Sequence, residues 1–171
     1  MTPERAALLG ELLAELAEDP KGFIPDAAWA PAQKAFALPY IELAFVRRSS
    51  KGELQALLSH RTDVDWNGWH LPGGLWRTKQ TLEEAIAALS RREIGLLEPS
   101  KILAKGEWEK WHDHPYGYPV SHVVILQSDH IVESDTVRWF TDLPGDMIDD
   151  HGHHQQFFNN VKRQVTRDRL V

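Results

Sequence analysis

Apolar residues recur along the chain at two different spacings, and the change of spacing marks out its elements. Between residues 3 and 18, Ala6, Leu8, Leu9, Leu12, Leu13 and Leu16 fall at helical intervals with charges between them, which predicts an amphipathic helix ending near Pro20. Its expected role is packing. A second, shorter helix is expected from Asp26, a good N-cap, through Trp29 and Phe36, stopping before Pro39. Both helices read as an N-terminal cover. Strand patterning begins at Tyr40: residues 40–47 and 53–60 suit strands, and Ser49-Ser50-Lys51-Gly52 between them has the chemistry of a hairpin turn. Further strands are expected at 69–72, 102–112 and 120–128. The stretch from Val120 to Leu126 is apolar apart from Ser121 and His122, as in a strand buried on both faces. A helix is expected from about Thr81, and a last one over 154–170, where Phe157, Phe158, Val161 and Val165 form an apolar stripe and a basic end suits the helix dipole.

Composition narrows what these elements can do. A chain of 171 residues fits one domain, here expected as an N-terminal helical extension (1–37) on a core (38–171). With no cysteine, thiolate nucleophiles, disulfides and Cys-based zinc sites are excluded. A net charge of −6 argues against long nucleic acid, whose binding relies on clustered Lys and Arg releasing counterions. The apolar N-terminal stretch is broken by Glu11, Glu15, Glu18 and Asp19, which suits neither a signal peptide nor a membrane span, so no membrane partner and a cytoplasmic location are the expectation.

The segment from Gly73 to Leu96 carries the chemistry. Pro72-Gly73-Gly74 reads either as a plain turn or as a place where backbone comes close to a ligand. In the helix that follows, Leu82, Ala85, Ile86 and Leu89 form one stripe and Glu93 lies four residues past Leu89 in its middle. A carboxylate there either escapes to water at the helix end or points inward, where it needs a proton, a basic partner or a cation. Glu83, Glu84 and Arg91 face away.

Pro72-Gly73-Gly74, Gln80, Ala85, Glu93, Gly95 and Leu96 stand in the order and spacing of the Nudix box, and the segment resembles that family. The resemblance covers about residues 39–165 and implies an α/β/α sandwich around a mixed sheet. It departs from the pattern in its acids: Gln80, Leu89 and Arg92 stand where the box carries glutamates. That loss is similar to the GDP-mannose mannosyl hydrolase subgroup. There the metal, Mg2+ with Mn2+ as the alternative, is held by groups corresponding to Glu93, the Gly73 carbonyl and Glu133. Hard oxygen donors suit such an ion. The subgroup's histidine base is replaced by Ser134, which does not accept a proton near neutral pH; His122, followed by His112 and His114, is the candidate replacement.

The resemblance also gives Arg61 the role of holding the leaving diphosphate, for which a guanidinium fork is suited. Trp111, Tyr116 and Tyr118 are candidate ligand-stacking residues, with Trp108 expected in the core. Trp66 and Trp69 are open between the two roles. His151, His153 and His154 follow Asp149-Asp150, a candidate cap for the last helix, and are expected at the surface. The implied activity is hydrolysis of a nucleoside diphosphate linked to another moiety, best guess a nucleotide sugar. The alternative is an inactive module that binds a nucleotide or sugar phosphate. A homodimer would suit the aromatic content and the extra helices.

Overall fold

The computed structural model describes all residues except 21, 65, 111–113, 115–116 and 149–152, and the side chains of 107 and 109. Helices α1 (Pro3–Glu18) and α2 (Asp26–Ala35) precede strands β1 (Pro39–Arg48), β2 (Leu54–Thr62), β3 (Asn67–His70) and β4 (Gly73–Leu75). Helix α3 (Leu82–Ile94), strands β5 (Lys101–Lys110), β6 (Val120–Gln127) and β7 (Val137–Phe140) and helix α4 (His153–Asp168) complete it.

The sheet is mixed, ordered β3-β2-β1-β6-β5, with β4 paired to β1 and β7 to β2. Strands β1 and β6 run parallel, from Pro39 beside Val120 to Phe45 beside Leu126. One face of β1 sends Ile41, Leu43 and Phe45 against Leu82, Ala85, Ile86 and Leu89 of α3. The other sends Ala44 and Val46 against Phe157, Phe158, Val161 and Val165 of α4. Period-two alternation in the strands and the apolar stripes of the two helices thus produce the α/β/α layering that the sequence implies.

Helix α3 starts at a capping box, with Thr81 Oγ1 accepting from the Glu84 amide and Glu84 Oε2 from the Thr81 amide. It ends at Gly95, whose φ of +68° suits a residue without Cβ. The short strands β4 and β7 were not expected. A Gly-Gly-Leu segment has almost no strand propensity; its partner is the first half of β1, from Tyr40 to Glu42, which β2 leaves unpaired.

The N-terminal helices differ from each other. No residue of α1 is buried, and Leu8, Leu9, Leu12 and Leu13 are exposed, so its stripe does not pack on the described fold as the sequence suggested. Asp26 opens α2 at its first helical position, with Pro25 as the cap. That helix does cover the sheet's end, as the site shows. Among the described residues, no helix is long and apolar enough to cross a membrane.

Candidate functional site

Several ends of the fold meet at one place: the starts of β1 and β6, the ends of β2 and β3, all of β4, the last turn of α3 and the first turn of α4. They enclose a cavity of about 850 Å³, with Trp29, Ala30 and Gln33 of α2 along its wall.

The glycine pair builds one wall by what it lacks. Gly73 lies opposite Glu42 across the β1/β4 ladder. A Cβ on Gly73 would overlap Glu42 Oε2 and stand 2.7 Å from the Ile41 carbonyl oxygen. Glu42 is 4% exposed, and its Oε1 accepts from the equally buried Ser121 hydroxyl at 3.0 Å. A Cβ on Gly74 would overlap Nη2 of Arg92. The pair therefore serves close approach, with a buried carboxylate on one side and a guanidinium on the other.

Glu93 lines the cavity from the last turn of α3. Its Oε1 accepts from Arg92 Nε at 2.6 Å, and Arg92 Nη2 donates to the Gly73 carbonyl at 3.0 Å. Of the two outcomes open to it, Glu93 takes the basic partner. Arg61, at the end of β2, also lines the cavity, and its Nε is held by Asp63 Oδ2.

Four histidines join them: His60, His70, His114 and His154. His70 Nδ1 lies 2.7 Å from the Leu71 carbonyl, so it carries the proton, leaving Nε2 to accept from the Ser59 hydroxyl at 3.2 Å. The His70 and His154 rings meet edge to face at 5.5 Å. Burial holds the His70 imidazole below its ordinary value of 6.5 and the His154 imidazole well below it. Both are therefore neutral when folded at neutral pH, and the unfolded chain takes up more protons as pH falls through 6.5. The stability that depends on them is intact above that value and lost below it. Thermal unfolding followed from about pH 8 to about pH 5 should show Tm falling on the acid side, with a shallower fall in His154→Gln. An equal fall in that variant would count against the neutral pair.

Some sequence expectations end elsewhere. His122 does not reach the cavity: its neighbour Ser121 faces it, and alternation turns His122 to the α3 side of the sheet. There it stacks on Trp108 at 4.6 Å, and Trp108 on Trp76 at 6.0 Å. Trp108 is half exposed, not in the core. Glu133 is also off the cavity, its carboxylate 3.7 Å from Arg47 and accepting from the Trp139 amide at 3.3 Å. Tyr118 is exposed and outside the lining. Trp66 lines the cavity, whereas Trp69 is in the core. His154 is buried, not at the surface. Trp111, His112, Tyr116, Asp149, Asp150 and His151 lie outside the described residues.

A divalent ion held by Glu93, the Gly73 carbonyl and Glu133 does not fit this arrangement. Arg92 engages the first two, and Arg47 draws off the third. Among the described residues, no group of three His, Asp or Glu side chains is placed to hold a metal. Sequence reasoning missed Glu42, Arg92 and His70. Glu42 carried a readable signal, a lone acid in the apolar run Tyr40-Ile41-Glu42-Leu43-Ala44-Phe45.

The model of the NUDIX domain family matches residues 42–159. Among solved structures, the chain is similar to a Nudix hydrolase from M. smegmatis, RenU, at 18% identity over 76% of this chain and 90% of that one, with a TM-score of 0.57. It is also similar to a UDP-X diphosphatase at 17% identity, over 97% and 82% of the two chains, with a TM-score of 0.58. A third similarity is to the NUDIX domain of Shewanella oneidensis NrtR in complex with ADP ribose, at 14% identity over 83% and 99%, with a TM-score of 0.55.

Proposed function

The chain belongs to the Nudix family, and from that premise we propose that it is a binding module for a nucleoside diphosphate linked to a second group, with a nucleotide sugar the best candidate. One observation carries the reading: guanidinium groups and aromatic faces share a single cavity. Arg61 and Arg92 line it together with Trp29 and Trp66. Guanidinium forks match diphosphate oxygens, and an indole face accepts a base or sugar. The volume of about 850 Å³ lies within the usual range for small-molecule sites. ADP ribose, the ligand in the NrtR complex, has the same chemical plan. The preference for a sugar as the second group rests on the subgroup resemblance of the box.

Hydrolysis of that ligand is the second reading. It is favoured by Glu42 and Glu93, two carboxylates on the cavity wall, either of which is a candidate base for water. Incubation with Mg2+ and UDP-glucose, GDP-mannose or ADP ribose, analysed by chromatography, separates the two. The module reading expects each compound intact and a rise in Tm with at least one of them. Turnover that disappears in Glu93→Gln would instead establish the hydrolase. A Tm unmoved by all three compounds, with no turnover, would refute both.

A further inference from the structure

Arg92 takes the place in this site that a divalent ion would need. Its guanidinium lies between Glu93 Oε1, 2.6 Å from Nε, and the Gly73 carbonyl oxygen, 3.0 Å from Nη2. These are two of the three oxygen donors that the family resemblance implies for magnesium. The seat is built on both sides. Glu93, only 20% exposed, orients the fork from α3, while Gly74 leaves open the volume that Nη2 fills, since a Cβ there would collide with it. The two bonds use only part of the donor set of a guanidinium, and the remaining N–H groups belong to a side chain that lines the cavity.

We propose that Arg92 is the resident cation of the site, so that the diphosphate of the ligand is bound by the protein's own guanidinium without a divalent metal. This deepens the binding reading above and rests on it. A metal ion neutralises phosphate charge from a fixed seat between a carboxylate and a carbonyl. A guanidinium held by the same two groups supplies permanent positive charge with directional donors, and it does not dissociate. Arg61, in the same lining, adds a second fork. Glu93 is then a positioning residue, acting on the ligand through Arg92.

The test is calorimetric titration of the intact protein with UDP-glucose, GDP-mannose and ADP ribose, in EDTA and in Mg2+, alongside a Mn2+ titration followed by EPR. Wild type should bind its preferred compound equally well in both buffers, within about twofold, and retain no Mn2+. Arg92→Glu, which restores an acid of the box, should lose about tenfold or more in EDTA and acquire Mn2+ binding. Arg92→Gln, with a milder change, should show the same loss in EDTA without gaining the metal. Wild-type binding that requires Mg2+ would overturn the inference and leave the ligand reading standing. Ligand affinity unchanged in both variants in EDTA would overturn it as well. Binding in neither buffer would overturn the ligand reading and this inference with it.

Discussion

Phe158→Ala is expected to cost about 3–5 kcal/mol of stability, the range for emptying a buried aromatic site. Phe158 is 1% exposed, beside Phe157, Val161 and Val165 in the layer between α4 and the sheet. A hole there has rigid strand residues on one side and a helix on the other, and such packing relaxes only in part. The same helix carries His154 into the cavity wall one turn earlier, so ligand affinity should weaken alongside stability. Urea denaturation measures the first effect. A loss below about 1 kcal/mol would mean that α4 is not fixed on the sheet as described.

Gly73→Ala is expected to have the larger effect on binding. The new methyl would overlap Glu42 Oε2 and press on the Ile41 carbonyl oxygen. Glu42 is held by Ser121 and Ile41 by its strand, so neither gives way freely. Overpacking of this kind costs about 1–3 kcal/mol. Displacement of the Gly73 carbonyl would also unseat Arg92, with an expected fall of about tenfold or more in ligand affinity. Gly95→Ala is the control. No atom lies within 4 Å of its Cβ position, but its φ is +68°, so it should lose about 1–2 kcal/mol of stability with ligand affinity retained. Equal loss of affinity in the two variants would show that Gly73 acts only through stability.

Much of the fold was legible because its signals are local. Thr81 and Glu84 mark the start of α3, Leu82, Ala85, Ile86 and Leu89 mark its inner face, and Gly95 marks its end. Gly73, Arg61 and Glu93, which the family resemblance assigned to metal and diphosphate binding, all line one cavity. What failed depended on tertiary choice. His122 sits in a strand buried on both faces, so apolar patterning gives no sign of which face a given residue takes. Glu133 was placed by resemblance, but Arg47 and the Trp139 amide supply nearer partners in this chain. Strand β4 depends on the part of β1 that β2 leaves unpaired. Two misses were avoidable. His154, Phe157, Phe158, Val161 and Val165 share one helical face, which argues for a buried histidine, and Glu42 obeys the same rule that singled out Glu93.

The decisive measurement is a structure of the protein with bound nucleotide sugar or ADP ribose, grown with Mg2+ present. The diphosphate should lie against Arg92 and Arg61, beside the Gly73-Gly74 wall, with the Arg92 guanidinium still between Glu93 and the Gly73 carbonyl. A magnesium ion on Glu93 and that carbonyl with Arg92 turned away, or a ligand seated outside the cavity, would contradict it.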